Sequence, residues 1–151
     1  METYSVSAAA IIDAPPRRVY DIIADYRHGH PHILPPQFRN LTVQRGGVGD
    51  GTEITFDVKA LGRVQHFRAR VTEPDPGHVL VEENVEPEPS VTTFTVEERP
   101  GGRAEVVIRT DFPVHQGIAG TLERVVSRHI LQRVYREELK LLARRAQLTA
   151  I

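Results

Sequence analysis

Residues 116–147 read Gln-Gly-Ile-Ala-Gly-Thr-Leu-Glu-Arg-Val-Val-Ser-Arg-His-Ile-Leu-Gln-Arg-Val-Tyr-Arg-Glu-Glu-Leu-Lys-Leu-Leu-Ala-Arg-Arg-Ala-Gln, and how this stretch is read decides the fold. After Gly120 it contains no Gly or Pro, and Leu, Glu, Arg and Ala dominate, so helix propensity stays high throughout. No other part of the chain is long enough for a helix of about seven turns. Nearly everything before it has the short alternating pattern of strands. A lone long helix buries its apolar side only against a sheet, which makes the expected architecture a β-sheet gripping one C-terminal helix.

Working outward, residues 3–12 alternate, with Tyr4, Val6, Ala8 and Ala10 on one side and Ser5 and Ser7 on the other. Asp13-Ala14-Pro15-Pro16 breaks this rhythm, with Asp13 or Ala14 as the expected cap and Pro suited to a first helical turn. Val19, Ile22, Ile23 and Tyr26 then follow at helical spacing, so a short helix is expected from about Pro16 to Asp25. Gly29, Pro31, Pro35 and Pro36 limit the next segment to loop or broken helix. Six strands follow at short spacing. Their inward faces are read as Leu41/Val43, Ile54/Phe56/Val58, Phe67/Ala69/Val71, Val79/Val81/Glu83/Val85, Thr92/Phe94/Val96 and Val106/Ile108/Thr110/Phe112. The short connections favour antiparallel neighbours.

The bulk properties of the 151 residues fit one domain, 1–151, with a core of its own. A formal net charge of −1 gives no electrostatic reason to expect nucleic acid or an anionic membrane as partner. The absence of Cys excludes disulfides, thiolate metal ligands and a cysteine nucleophile. No segment approaches the length of apolar run that spans a bilayer, and the N-terminus lacks the pattern of a signal peptide, so a cytoplasmic location is expected.

Three local phrases stand out: Ile12-Asp13-Ala14-Pro15-Pro16-Arg17-Arg18-Val19-Tyr20, Asp25-Tyr26-Arg27 and the turn Gly46-Gly47-Val48-Gly49-Asp50-Gly51-Thr52. With them, this order of elements resembles the helix-grip fold of the START-like (SRPBCC) superfamily, and the phrases are similar to its bacterial polyketide cyclase/dehydrase branch. The resemblance implies an α+β domain in which an antiparallel sheet of about seven strands wraps the C-terminal helix around an apolar cavity. It also implies a small hydrophobic or amphipathic ligand there, lipid- or polyketide-like. It carries no catalytic motif, because fold does not fix activity.

The candidate chemistry is sparse. His28, His30 and His32 alternate in a loop, where they could converge on a metal ion or simply face water. Glu83 falls in register with Val79, Val81 and Val85; buried there it would need a partner or a proton, whereas a shifted register would leave it in water. Glu83 and His129 are the candidates for general acid/base work. The glycine turn lacks the Lys-Ser/Thr and helix of a phosphate-cradling loop, and no cofactor is expected.

The expected ligand wall is Phe56, Phe67, Val81, Phe94 and Ile108, with Glu83, Arg124 and Ser127 as polar contacts. Along the helix, Ile118, Leu122, Val125, Val126 and His129 form one apolar cluster, and Leu131, Tyr135, Leu139, Leu142 and Ala146 form a second on another side. Either a kink or π-bulge near His129 realigns the two, or a straight helix turns Arg124 and Ser127 toward a cavity while the first cluster packs against loops or a second subunit of a homodimer. Three functions stay open: a ligand carrier, a cyclase/dehydrase-type enzyme, and a protein–protein interaction module.

Overall fold

A computed structural model describes residues 3–60, 62–86, 89–113 and 118–148, and leaves the side chains of residue 60 and residues 118–127 undescribed. Its elements are β1 (Thr3–Ile12), α1 (Pro16–Ala24), a 3₁₀ turn (His30–Ile33), β2 (Phe38–Arg45), β3 (Glu53–Ala60), β4 (Arg63–Asp75), β5 (Val79–Glu86), β6 (Ser90–Arg99), β7 (Arg103–Pro113) and α2 (Ile118–Leu148). The strands form one antiparallel sheet in the order β1-β7-β6-β5-β4-β3-β2. Among the described strands, only the β1–β7 pairing joins segments far apart in sequence. The other pairs are neighbours in the chain, as short connections dictate.

The inner face of the sheet follows the alternation read from the sequence in six strands of seven. Tyr4 pairs with Phe112, Val6 with Thr110 and Ala8 with Ile108, while Phe94 pairs with Ile108 and Phe56 with Phe67. The core runs from this face to α1 and α2 and contains Val6, Ile12, Val19, Ile23, Ile54, Val71, Leu80, Phe94, Val106, Ile108, Leu139 and Leu142.

β5 departs from the expectation. Its inner face is Leu80, Glu82 and Asn84, because Leu80 pairs with Phe94 and Glu82 with Thr92 across β6. Val79, Val81 and Val85 are half-buried on the outer face, and Glu83 is exposed there. Three β-branched residues suit a pleated strand on either face, so their alternation did not reveal which side is inside. The wholly buried Leu80 and its contact with β6 decide the register.

α1 begins at Pro16 as expected, but its cap is neither Asp13 nor Ala14. Pro15 occupies the cap position without a side-chain hydrogen bond, and Pro16 fills the first turn. α2 is an unbroken α-helix from Ile118 to Leu148, with no π turn at His129–Ile130. Its second apolar cluster behaves as read: Tyr135, Leu139, Leu142 and Ala146 are buried and Leu131 is half-buried. The side chains of Ile118, Leu122, Arg124, Val125, Val126 and Ser127 lie outside the described residues. Arg109 and Asp111 pair with each other along β7 at 3.0 Å, with Ser5 of β1 bonded to both.

The glycine turn does more than reverse the chain between β2 and β3. Gly47 accepts from the Tyr26 amide at 2.8 Å and Gly49 donates to the Ala24 carbonyl at 2.9 Å, so the turn is stitched to the end of α1. Gly49 sits at φ +65, and a Cβ there would lie 2.1 Å from Glu73 Oε1. That carboxylate accepts from the Asp50 amide at 2.8 Å and from the Tyr20 hydroxyl at 2.7 Å. The turn thereby fixes where the chain from Tyr26 to His30 enters the interior.

Candidate functional site

Between the inner face of the sheet, the 3₁₀ turn and α2 lies a cavity of about 130 Å³. Its apolar wall includes Phe38, Ile54, Phe56, Phe67, Phe94 and Phe112. The Phe56 and Phe67 rings stack with centroids 5.3 Å apart, and Phe38 tilts against Phe56 at 6.0 Å. Aromatic rings packed in this way give a broad apolar surface with little conformational freedom.

The polar side is built from four elements. Tyr26, just beyond α1, is buried and donates its hydroxyl to Glu82 Oε2 on β5. Its ring lies flat against His30, with centroids 4.4 Å apart, and His30 meets the edge of Phe94 at 5.7 Å. His30, 3 % exposed, has Nδ1 at 2.8 Å from the Ile23 carbonyl. A carbonyl only accepts, so Nδ1 carries the proton, and Nε2 is the nitrogen that faces Glu82 Oε2 at 3.6 Å. Gly29 makes this placement feasible: its amide bonds to the Asp25 carbonyl, and a Cβ would stand 2.4 Å from the Ile22 carbonyl oxygen.

Glu138 on α2 completes the site. It is 3 % exposed, lines the cavity, and makes no hydrogen bond or ion pair with any of the described residues. Burial, and then the nearby Glu82 charge, push its pKa well above the usual carboxylate range. Burial and the same Glu82 charge also raise the Tyr26 phenol far above 10, so it stays a hydrogen-bond donor. Farther along the wall, Thr92 Oγ1 lies 2.7 Å from Thr110 Oγ1, which in turn bonds to the Tyr135 hydroxyl. Asn84 donates to Ser90 Oγ at 2.7 Å.

The residues singled out in the sequence divide clearly. Phe56, Phe67 and Phe94 line the cavity, whereas Ile108 is buried in the core behind it. Val81 and Glu83 are on the outer face of the sheet, so neither reaches the cavity, and Glu83 has no route to an interior partner on α2. His129 is exposed on α2 and is absent from the described lining. Arg124 and Ser127 lie outside the described side chains. The three loop imidazoles do not converge: His28 is exposed beside Asp25, His32 is exposed, and His30 points inward. Among the described residues no cluster of three metal-ligating side chains forms.

Glu82 and Glu138 were missed, although both carried a signal. Glu82 alternates with Leu80 and Asn84, and Glu138 falls at helical spacing with Leu131, Tyr135 and Leu142. Each is a carboxylate standing in an inward-facing register.

A family model described as polyketide cyclase/dehydrase and lipid transport matches residues 3–147. No curated protein sequence matches the chain. Among solved structures, the KanY protein, determined by NMR, is 26 % identical, with a TM-score of 0.85 over 97 % of this chain and 99 % of its own. An aromatase/cyclase from Streptomyces superposes with a TM-score of 0.79 at 15 % identity, covering 97 % of this chain and 94 % of its own. A START superfamily protein from Mycobacterium smegmatis gives 0.76 at 14 % identity, covering 97 % and 99 %. At those identities the last two speak for the fold alone. No helix among the described residues is long and apolar enough to cross a membrane.

Proposed function

The chain belongs to the polyketide cyclase/dehydrase and lipid transport family, and from that premise we propose that it binds one small amphipathic molecule in the cavity between sheet and α2. The apolar body of the ligand rests on Phe56, Phe67 and Phe94, and its polar end meets Glu82, His30 and Glu138. The observation that carries this reading is Glu138, a buried carboxyl that lines an open cavity and has no hydrogen-bond or ion-pair partner among the described residues. Leaving such a group unpaired costs on the order of 1–3 kcal/mol, a cost that a ligand's polar group removes. An interaction module on this fold would be expected to have a filled interior, and this one is open.

Native mass spectrometry of freshly purified protein, followed by NMR titration with medium-chain alcohols and aromatic alcohols, tests the proposal. A copurifying organic mass, or saturable shifts at Phe56, Phe94 and Tyr135, is the expected result. An apo protein with none of these resonances moving would sink it.

A second reading is supported by the convergence of His30, Glu82 and Glu138, three titratable groups where a plain carrier needs none. In that reading Glu138 protonates and the His30–Glu82 pair removes a proton during cyclisation or dehydration of a polyketide-like substrate. Incubation with a linear polyketone thioester should then accelerate the appearance of aromatic absorbance, and Glu138→Gln should slow it. A rate equal to that in buffer alone disposes of the enzyme reading.

A further inference from the structure

The hydrogen-bonding groups around the cavity are unevenly matched. Most of the protein's donors are already committed within the wall. The Tyr26 hydroxyl goes to Glu82, the Asn84 amide to Ser90 and the His30 Nδ1 proton to the Ile23 carbonyl. Thr92, Thr110 and Tyr135 use two of their three hydroxyl protons on one another. The acceptors are in excess: Glu82 faces the space from β5, and Glu138 faces it from α2 as a carboxyl that offers acceptors only once it ionises. A carboxylate offers about four lone-pair positions and, when ionised, no donor. Among the described residues the lining contains no Lys or Arg.

We propose that the polar end of the ligand is a protonated amine, held between Glu82 and Glu138 with its apolar body on the phenylalanine wall. An ammonium brings three donors, no acceptor and one positive charge to a place with surplus acceptors and surplus negative charge. A ligand carboxylate would oppose ionisation of Glu138 and bring a second negative charge beside Glu82 in a poorly solvated site, where like charges are strongly disfavoured. A hydroxyl brings one donor and leaves the two carboxyls opposed. The aromatic rings favour the same class, since the face of a ring attracts a cation.

Binding is linked to a proton. Burial and the Glu82 charge favour the protonated form of Glu138 in the free protein, and an ammonium beside it favours the ionised form, so the amine should displace a proton to solvent. Neither an alcohol nor a carboxylate should do so.

This inference rests on the cavity being a ligand site, and a three-probe titration separates the two claims. Naphthylmethylamine, naphthylmethanol and naphthoate share one apolar body and differ in their polar end. Each is titrated calorimetrically into the wild-type protein and into Glu138→Gln near neutral pH, in two buffers of different ionisation enthalpy. The amine should bind about tenfold tighter than the other two. Its heat should depend on the buffer as release of roughly one proton requires. Glu138→Gln should weaken the amine about tenfold more than it weakens the alcohol, and should abolish the proton release. If the alcohol or the carboxylate binds as tightly as the amine, the amine assignment is overturned and the ligand site stands. If none of the three binds, the ligand site itself fails and the assignment with it.

Discussion

Glu82 and Glu138 face one cavity from opposite layers of the fold, and the charge of Glu82 makes Glu138 harder to ionise. The two differ in support. Glu82 accepts from the Tyr26 hydroxyl and lies within ion-pair reach of His30, whereas Glu138 has neither contact. A pair placed this way divides its roles, with Glu82 the anchored carboxylate and Glu138 the one that holds a proton. Both proposed readings of the cavity depend on that division.

Replacing Glu138 by Gln should stabilise the protein at alkaline pH. Its folded pKa lies above its ordinary 4.5, so the folded state holds the proton more tightly than the unfolded chain does. The favourable contribution is fully present below about 4.5, and is lost as the pH rises through the folded value. Urea unfolding should show wild type and Glu138→Gln to be similar near pH 4. Near pH 8 the variant should gain about 1–3 kcal/mol. An equal difference at both pH values would mean that Glu138 does not titrate as placed.

Tyr26→Phe removes the donor to Glu82 and leaves the ring stack on His30 intact. The loss should be about 1–2 kcal/mol, because a poorly solvated carboxylate is left without its hydrogen bond. The double variant Tyr26→Phe/Glu82→Leu should recover part of it, since removing both partners is milder than orphaning one. Strict additivity of the two single changes in a double-mutant cycle would show that the pair is not coupled.

Much of the fold was legible in the sequence because its periodicities are local. The alternation of β3, β4, β6 and β7 and the 3.6-residue stripe from Leu131 to Ala146 each point to one buried face. What failed was β5, where Val79, Val81 and Val85 outvoted Leu80. Strand register depends on the partner strand, and Leu80 opposite Phe94 is a contact between strands that periodicity in β5 alone does not contain. The candidate site was lost with it, since a one-residue slip exchanges Glu82 for Glu83. Glu138 was overlooked for a different reason. Next to Glu137 on a charge-rich helix it reads as one more solvated carboxylate until its spacing from Tyr135 and Leu142 is counted.

Gly49→Ala should cost about 2 kcal/mol. An alanine at φ +65 bears the left-handed penalty of roughly 1–2 kcal/mol. Its methyl group would also displace Glu73, whose carboxylate holds the Asp50 amide and the Tyr20 hydroxyl. Thermal unfolding should register the loss, and Glu73→Gln combined with Gly49→Ala should cost less than the sum of the two alone, because both disturb the same contacts. A melting temperature unchanged by Gly49→Ala would mean that the turn does not anchor α1.

Gly29→Ala separates site from scaffold. The added Cβ meets the Ile22 carbonyl oxygen at 2.4 Å, and backbone cannot swing aside as a flexible side chain can. The segment from Gly29 must therefore shift, and His30 with it. Overpacking of this kind costs about 1–3 kcal/mol. The more telling consequence concerns His30, whose Nδ1 bond to the Ile23 carbonyl and stack on Tyr26 both require its present position. In NMR spectra of the variant the His30 imidazole resonances should move strongly. Ligand affinity should fall by about tenfold, and Gly49→Ala, at matched stability loss, should affect it less. Equal weakening by the two variants would show that affinity follows global stability and that His30 has no part in holding the ligand.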